Sequence, residues 1–435
     1  MSVVKMLKPL VIAIGILALF PPSLWAQTWY VDGEMEASGN GKNWSSAFIN
    51  IQEAVDEAEE NDQIWLKNGT YTLDALILVE KPFKIYGSFA GTETSIDQRD
   101  GAKKNQTIID GNSAVICLYI TADATIDGIT VQNGNASGIF INTSSPVISN
   151  CTITENSTEN NGGGMSIQSA SPTVTFCSFT ENSATGDGGG LYIYESTPTI
   201  SNCSFEKNSA ANGGGISAYK SSPQISDTTF GENQVSANGG GMLSLESTPT
   251  ITGTMFKDNE AEGNGAGFYS DSSSPIISGA TFESNSATTS GGAIYSYAST
   301  SFTIDQTTFT KNKAEYGGGG IYNYSSTPTL TNCTFTKNEA DGGGGGMYNH
   351  TSSPIITDCI FEKNKSKGGG GGLFNYSESD PVLTNTTFLN NSSDEKGDAM
   401  HNDESDPEVS NCEFKDEFEE EDDEIYVFEM NDTDA

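Results

Sequence analysis

Positive charge is scarce in this sequence. Its 435 residues contain 20 lysines and arginines against 58 acidic residues, which gives a formal net charge of −38. A chain with this balance repels nucleic acid and anionic membrane surfaces, because both carry dense negative charge. Arg99 is the one arginine, so the bidentate side chain that usually clamps phosphate or carboxylate groups is almost absent. We therefore expect no nucleic-acid partner.

Histidine and long apolar segments are also scarce. The two histidines, His350 and His401, have no evident ligand partners in the sequence, so we predict no metal site and no cofactor. Calcium is compatible with so acidic a chain, but no specific site is identified. The apolar run at residues 10–20 follows two lysines and precedes Ala26, which is typical of a cleaved signal peptide. We expect no membrane span after its removal.

What the sequence has in abundance is repetition. Prolines recur every 25 to 27 residues, with one longer gap in which we expect Ser301 to take the place of proline. Phenylalanine keeps the same period, and nearly every copy is followed three residues later by asparagine. A fixed period of this size indicates a solenoid, in which each unit buries its apolar face only against its neighbours. The markers are Pro146, Pro172, Pro198, Pro223, Pro249, Pro275, Pro328, Pro354, Pro381 and Pro407; Phe179, Phe205, Phe230, Phe256, Phe282, Phe309, Phe335, Phe361, Phe388 and Phe414; and Asn182, Asn208, Asn233, Asn259, Asn285, Asn312, Asn338, Asn364 and Asn391.

A single repeat, residues 317–338, predicts how each turn is built. Residues 321–324 alternate as a half-buried strand does, and residues 329–331 and 333–335 form two further short strands. Glycine and proline turns separate them, and the recurrent asparagines suit a hydrogen-bonded structural ladder at a corner. We predict an all-β fold: a right-handed parallel β-helix with three short strands per coil and a repeat of ~26 residues.

The segment before the repeats has a different pattern. Residues 46–58 show a helical period with Ile51, Val55 and Ala58 on one face, and a helix here would cap the open end of the β-helix. The predicted organisation is a signal peptide at 1–26, an N-terminal cap with irregular first coils at 27–145, regular β-helix repeats at 146–416 and an acidic C-terminal tail at 417–435.

Most of the seven cysteines share one phase of the repeat, two residues before its apolar anchor. Disulfides are common in exported proteins, but a shared phase places these side chains in one interior column. We favour buried free thiols, which pack as small hydrophobes, over disulfides. The column comprises Cys151, Cys177, Cys203, Cys333, Cys359 and Cys412, and Cys117 lies outside it.

No catalytic residue can be assigned from the pattern. Glycoside hydrolysis needs paired carboxylates, and the repeat places charged residues beside one corner. The signs vary from coil to coil, with Glu155, Glu181 and Glu232 in some coils and lysine in others, so we favour a solvated face. The lysines are Lys311, Lys337 and Lys363.

The feature most like a binding surface is aromatic. After each glycine turn, the outward positions of the first strand are rich in tyrosine, and exposed rigid rings suit protein contacts or sugar stacking. The alternative is that tyrosine favours strands and stacks on its copies between coils. Interruptions at Ser217, Leu243 and Leu245 place the expected footprint in the C-terminal half. The candidate binding residues are Tyr192, Tyr194, Tyr295, Tyr297, Tyr322, Tyr324, Tyr348 and Tyr376.

The repeat carries a family resemblance over residues 150–414. The FxxN and GGxI pair, as at residues 309–312 and 291–294, resembles the repeat of chlamydial polymorphic outer-membrane proteins. Residues 29–32 and 85–94 are similar to the start of secreted bacterial right-handed β-helix proteins of the pectin-lyase-like superfamily. The resemblance implies a protein that is secreted or held at the outer-membrane surface of a bacterium, with a role in adhesion.

From these observations the favoured function is non-enzymatic adhesion, or binding of a cell-surface glycan or protein receptor, through the tyrosine-rich sheet. Two alternatives stay open at this point. A polysaccharide-degrading enzyme, a glycoside hydrolase or lyase, could use the same scaffold, because carboxylates alone can hydrolyse a neutral glycan. A structural envelope spacer would need no site at all.

Overall fold

The computed structural model of the protein describes residues 26–99 and 106–415, which wind into an all-β right-handed solenoid of about 13 turns. Strands from successive coils pair in parallel and in register, so each sheet runs the length of the solenoid. We call the four sheets A, B, C and D; they have 15, 14, 13 and 10 strands. This architecture confirms the predicted fold class.

The strands are short and follow the repeat. Sheet A contains Thr28–Val31, Gln63–Lys67, Lys84–Phe89, Thr125–Asp127, Val147–Ser149, Thr173–Thr175, Thr199–Ser201, Gln224–Ser226, Thr250–Thr252, Ile276–Ser278, Thr303–Asp305, Thr329–Thr331, Ile355–Thr357, Val382–Thr384 and Glu408–Ser410. Sheet B contains Gly69–Thr72, Thr107–Asp110, Thr130–Gln132, Thr152–Thr154, Ser178–Thr180, Ser204–Glu206, Thr229–Gly231, Met255–Lys257, Thr281–Glu283, Thr308–Thr310, Thr334–Thr336, Ile360–Glu362, Thr387–Leu389 and Glu413–Lys415. Sheet C contains Ile77–Val79, Leu118–Ile120, Ile139–Asn142, Met165–Gln168, Leu191–Tyr194, Ile216–Tyr219, Met242–Leu245, Phe268–Asp271, Ile294–Tyr297, Ile321–Tyr324, Met347–His350, Leu373–Tyr376 and Met400–Asp403. Sheet D contains Ser157–Thr158, Ser183–Ala184, Ser209–Ala210, Gln234–Val235, Glu260–Ala261, Ser286–Ala287, Lys313–Ala314, Glu339–Ala340, Lys365–Ser366 and Ser392–Ser393.

Sheet D corrects the prediction of three strands per coil. Its two-residue strands follow the corner asparagine, in a segment that the sequence pattern assigned to a turn. The second residue of each strand is small and mostly buried, as at Ala261 and Ala314, which lets the chain pair with its copy before it turns again. Two residues are too few to give a recognisable alternation, so the strand escaped the sequence analysis.

The core is a stack of identical rings. Phenylalanines of sheet B lie face to face from Phe179 to Phe414, with neighbouring ring centroids 4.5 to 5.2 Å apart. The last glycine of a glycine run lies against such a ring, and a Cβ on Gly215 would come within 2.6 Å of the Phe230 ring. In most coils phenylalanine and glycine therefore recur together because the ring occupies the space that a side chain at the glycine would need; Ala293 and Ala399 take the glycine position in two coils.

The recurrent asparagines form a continuous buried ladder beside this stack. The side-chain amide of Asn208 donates to Oδ1 of Asn233 at 3.0 Å and to the carbonyl oxygen of Phe179 at 3.0 Å. The same Oδ1 also accepts the backbone N–H of Asn208. The bonds repeat from Asn156 to Asn391, so the corner buries no unpaired amide along this run.

The N-terminal part agrees with the predicted cap. Helix α1 (Ile51–Glu57) begins at Asn50, whose side chain accepts the backbone N–H of Glu53, and its apolar face is buried against the first strands. Two short 3-10 helices, Trp44–Ser46 and Ile96–Gln98, flank this region. The coils before residue 145 differ in length from the later ones, but their strands belong to the same sheets.

The structure also corrects the prediction for the long gap between prolines, in which Ser301 was expected to take the place of proline. Each proline of the repeat directly precedes a strand of sheet A, and the residue at that position before Thr303–Asp305 is Phe302, not Ser301. This coil is one residue longer than its neighbours, which shifts the expected position. The Phe302 ring is buried and packs edge-on against Phe268.

All seven cysteines are free thiols; Cys412 is half-buried and the other six are buried. The predicted signal peptide before Ala26 and the acidic tail from residue 417 lie outside the described residues. Within the described ranges, no helix is long and apolar enough to cross a membrane.

Candidate binding surface

Sheet C presents two columns of rings on its outer face. Each of its four-residue strands turns its first and third side chains inward and its second and fourth outward. From residue 269 to residue 403 the outward positions are almost all aromatic. We call this surface the aromatic face; its first column is Tyr269, Tyr295, Tyr322, Tyr348, Phe374 and His401, and its second column is Tyr297, Tyr324, His350 and Tyr376.

The rings of the first column form an unbroken stack. Their centroids are 5.3, 5.2, 4.7, 4.8 and 4.7 Å apart from Tyr269 to His401. The rings are nearly parallel up to Tyr348, and Phe374 then turns perpendicular to it. Because each flat face in the run is covered by the next ring, mainly edges and hydroxyl groups meet the solvent.

The second column is more open. Its centroids are 5.5, 4.6 and 5.0 Å apart, and two of the three contacts are edge-on. Tyr297 is 40% exposed, the largest exposed fraction in the aromatic face. The Tyr322 hydroxyl lies 3.2 Å from Nδ1 of His350, within hydrogen-bonding distance, and so links the two columns. The aromatic face is therefore one connected surface and not two separate rows.

The glycine corners explain why the rings can lie so close to the backbone. A Cβ on Gly317 would come within 2.8 Å of the Tyr348 ring, and one on Gly343 would overlap the Phe374 ring. In earlier coils the same corner position is polar, and Asn264 donates its backbone N–H to Oδ1 of Asn238 at 2.9 Å. The sequence signal for this change is the lengthening of the glycine runs, which the sequence analysis attributed to turn geometry alone.

The inner side of the same strands changes as well. Asn323, Asn349 and Asn375 point into the core, as the alternation predicts, and are fully buried. The side-chain amide of each donates to Oδ1 in the next coil at 2.7 to 2.8 Å, ending at Asn402. Oδ1 of Asn323, at the start of this ladder, is buried with no hydrogen-bond partner. From Tyr322 onward, the aromatic face thus lies over a second asparagine ladder.

Comparison with known proteins places the fold. The family model described as "right handed beta helix region" matches residues 95–256 and 247–414, most of the chain. This chain belongs to the right-handed β-helix family. No curated protein sequence matches it.

Among solved structures, this β-helix is similar to several proteins at low identity. A mannuronic-acid-specific family 6 polysaccharide lyase from the human gut microbiota is 11% identical, with 81% of this chain and 79% of that chain covered and a TM-score of 0.46. Tailspike protein 3 of bacteriophage CBA120 is 12% identical, with 88% and 61% covered and a TM-score of 0.44. Pectate lyase Pel9A is 13% identical, with 89% and 78% covered and a TM-score of 0.37. At these identities the likeness is one of fold.

Burial keeps several rings of the aromatic face in their neutral forms. Burial raises the pKa of Tyr295 to about 12 and raises the pKa values of Tyr322 and Tyr348 further, so the phenols stay protonated. Burial also lowers the pKa of His350, which favours its neutral imidazole. A neutral surface on so acidic a chain does not repel a partner as the rest of the surface would.

The structure groups six of the eight predicted binding residues in the aromatic face and leaves two apart. Tyr192 and Tyr194 occupy the same outward positions, but Ser217 and Leu243 separate Tyr192 from the stack, and the Tyr194 ring contacts the Tyr219 ring, at 5.6 Å, outside the aromatic face. The six grouped residues are Tyr295, Tyr297, Tyr322, Tyr324, Tyr348 and Tyr376.

The prediction of exposed rings is wrong for Tyr322, which is only 8% exposed. Tyr295 and Tyr348 cover its two faces, and this contact between coils was the alternative explanation for the tyrosines. Tyr322 therefore acts more as packing between coils than as a contact residue.

Some of the charged corner residues line an open depression. It has a volume of about 440 Å³ and is lined by Lys207, Glu232, Asp258 and Glu260 among others. Nζ of Lys207 lies 3.9 Å from Oε2 of Glu232, and both side chains are more than half exposed. Further along the same corner, Lys363 pairs with Glu362. Within residues 26–99 and 106–415, no group of three histidines, cysteines or acids could hold a metal ion.

Proposed function

We propose that this β-helix is an exported, non-enzymatic protein that binds a partner at a cell surface through the aromatic face and so mediates adhesion. The supporting observation is the contiguity of the rings. Ten side chains from six consecutive coils join into one neutral, rigid surface, whereas isolated surface rings need no functional explanation. Tyrosine is suited to recognition because it presents a large area at little cost in conformational entropy.

The orientation of the rings restricts the chemistry of the partner. Stacking of a sugar on a flat ring face is blocked inside the first column, because neighbouring rings occupy those faces. The available contacts are ring edges and protonated hydroxyl groups, which suit an apolar protein surface with hydrogen-bonding groups or the hydroxyls of a neutral glycan. A polyanionic glycan is disfavoured by the net charge of −38.

The rival enzyme function has one specific observation in its favour. Glu232, Asp258 and Glu260 lie along the depression at the charged corner, and glycoside hydrolysis needs two carboxylates near one another. However, Glu232 is largely exposed and lies beside Lys207. Solvated charges of this kind are ordinary on a surface, so we place binding ahead of catalysis.

The test compares two pairs of tyrosines that occupy the same outward column. Tyr297→Gln with Tyr324→Gln removes the open edge of the aromatic face, and Tyr194→Gln with Tyr219→Gln removes the isolated pair. Glutamine already occupies this column at Gln168, so both variants should fold. The chain from Gln27 to Ala435 is tested on a glycan microarray and for adhesion to cells with and without protease treatment.

The proposal expects at least a tenfold loss of binding in the first variant and little change in the second. Loss of parental binding after protease treatment of the cells would identify a protein receptor, and binding on the array would identify a glycan. Equal effects of the two variants would exclude the aromatic face as the site. Release of oligosaccharides from a polysaccharide, abolished by Glu232→Gln, would support the enzyme. If the protein neither binds a partner nor releases a product, the structural envelope spacer is the function that remains.

A further inference from the structure

The second column of the aromatic face is bounded by a carboxylate at both ends. Strand pairing sets Asp271 beside Tyr297 at one end and Asp403 beside Tyr376 at the other. Both aspartates occupy the fourth, outward position of their strands, and neither is buried. None of the ion pairs among the described residues includes either carboxylate. Each end of the column therefore presents a ring beside a carboxylate that has no basic partner in that part of the chain.

The end rings differ from the inner rings in how they are covered. Tyr324 and His350 each contact a ring of the column on both sides. Tyr297 and Tyr376 have a ring of the column on one side only, because an aspartate takes the next position. The outer side of each end ring is therefore left for a partner, next to a negative charge.

An earlier coil shows what such a place can hold. Nζ of Lys220 lies 4.9 Å from the centroid of the Tyr219 ring and 4.0 Å from Oε2 of Glu246. A positive charge between a ring and a carboxylate is favoured by cation–π attraction and by the ion pair. Late coils keep the ring and the carboxylate without the cation, because the residues that follow their rings are uncharged. These residues are Ala298, Ser325, Thr351 and Ser377.

A simpler explanation is that the aspartates only end the run of rings. Solvated acids are common on a chain with a net charge of −38, and Oδ1 of Asp271 accepts the hydroxyl of Ser272 at 2.8 Å. On that explanation, these two carboxylates would matter to a partner no more than any other pair of exposed acids. The two explanations therefore differ in what neutralising these particular acids does to binding.

We propose that the aromatic face binds a protein segment that carries two lysine or arginine side chains, one held between Tyr297 and Asp271 and the other between Tyr376 and Asp403. This inference rests on the proposed binding function. The two places are four coils apart, about 19 Å at about 4.8 Å per coil. An extended segment spans this distance in about six residues, and an even spacing turns both basic side chains to the same side. The acidic chain also attracts such a segment before contact.

The direct test uses labelled synthetic peptides as probes. One peptide has two lysines six positions apart in a background of serine and threonine, and a second peptide of the same composition has its two lysines adjacent. Binding to the chain from Gln27 to Ala435 is measured by fluorescence anisotropy at low ionic strength, where charge attraction is least screened. We expect the first peptide to bind about tenfold more tightly than the second. Equal affinities, or no binding of the first peptide, would overturn the proposal.

Two variants with the same net charge test the carboxylates themselves. Asp271→Asn with Asp403→Asn removes both charges with little change of shape, and Glu155→Gln with Glu181→Gln removes two charges from exposed corner positions. The first variant should lose about tenfold in affinity for the spaced peptide, and the second should lose no more than about twofold. Equal losses would show that binding follows net charge alone, which would contradict the inference. Circular dichroism confirms that both variants fold.

The adhesion assay separates this inference from the proposed function. Loss of adhesion in Tyr297→Gln with Tyr324→Gln, but not in Asp271→Asn with Asp403→Asn, would refute the inference alone, because the aromatic face would bind without these carboxylates. Unchanged adhesion in both variants would refute the proposed function as well. Adhesion that survives protease treatment of the cells would also refute the inference, since the partner would not be a protein. Loss in both variants, with the glutamine control unchanged, would support it.

Discussion

The early and late coils of sheet C share one backbone register but differ in three side-chain columns. Up to residue 290 the corner position is polar and mostly asparagine, the outward positions are mixed, and the third, inward position is aliphatic or serine. From residue 317 to residue 376 the corner is glycine, the outward positions are rings, and the inward position is asparagine. The rings of the first outward column begin at Tyr269, two coils before the glycine corners and the inward asparagines, and the strand register stays the same throughout.

The difference shows two ways of holding coils together. In the early coils a ladder of side-chain hydrogen bonds at the corner links one coil to the next, as between Asn212 and Asn238. In the late coils the corner side chain is absent, and a ring from the next coil covers the glycine, as Tyr348 covers Gly317. In the late coils, burial of a ring therefore replaces side-chain hydrogen bonding at the corner. The same coils carry the ladder of inward asparagine amides in the core.

The largest expected effect comes from breaking that inner ladder. Asn349→Ala removes two bonds of 2.8 Å, and leaves the side-chain NH2 of Asn323 without its acceptor and Oδ1 of Asn375 without its donor. We expect a loss of about 2 to 4 kcal/mol in the free energy of unfolding, measured by urea denaturation. The control is Ile193→Val, at the same inward position of an early coil, with an expected loss of about 1 kcal/mol. An Asn349→Ala loss no larger than this would mean that the ladder adds nothing to late-coil stability.

Exchanging the corner residues should have a smaller effect. Gly343→Asn puts a side chain where the Phe374 ring lies, and displacing that ring should cost about 1 to 3 kcal/mol. The converse change, Asn238→Gly, removes a hydrogen-bonded side chain but displaces no ring, and should cost about 1 kcal/mol. Thermal unfolding followed by circular dichroism measures both. If Gly343→Asn cost no stability, asparagine would be tolerated equally at the early and late corners, and the distinction between early and late coils would be removed.

The smallest expected effect concerns the ionisation of buried tyrosines at high pH. Burial raises the pKa of Tyr295 from 10.0 to about 12, so its contribution to stability is complete below pH 10 and is lost as the pH rises from about 10 to about 12. Ultraviolet titration of phenolate should show delayed ionisation in the folded chain and not in the unfolded chain. Tyr295→Phe should remove one delayed group. Ionisation of all phenols near pH 10 in the folded chain would contradict the buried stack.

Much of the fold was predictable because a repeated side chain in a solenoid meets its own copy. The period of Phe309 and Phe335 indicated one interior column, and the alternation at residues 321–324 indicated which side chains face inward. The two-residue strand Glu339–Ala340 was missed because it is too short to alternate. Phe302 was missed because one extra residue shifts the period in its coil.

The candidate surface was predictable only in outline. Alternation indicated that Tyr322 and Tyr324 face outward, and the interruption at Leu245 placed the footprint in the C-terminal half. The exposed fraction of each ring could not be deduced, because it depends on how closely the ring packs against the ring of the adjacent coil. At Gly317 and Gly343 the corner of the adjacent coil leaves room for the Tyr348 and Phe374 rings.

The sequence by itself determined the solenoid, its period and the direction in which each side chain points, because these follow from local alternation and from repetition. Only the tertiary structure decided which rings stay accessible and which corners hold hydrogen bonds. These properties arise between coils about 26 residues apart, where a side chain meets the particular residue stacked against it. Tyr297 and Tyr322 show the difference: both point outward, yet one is 40% exposed and the other 8%.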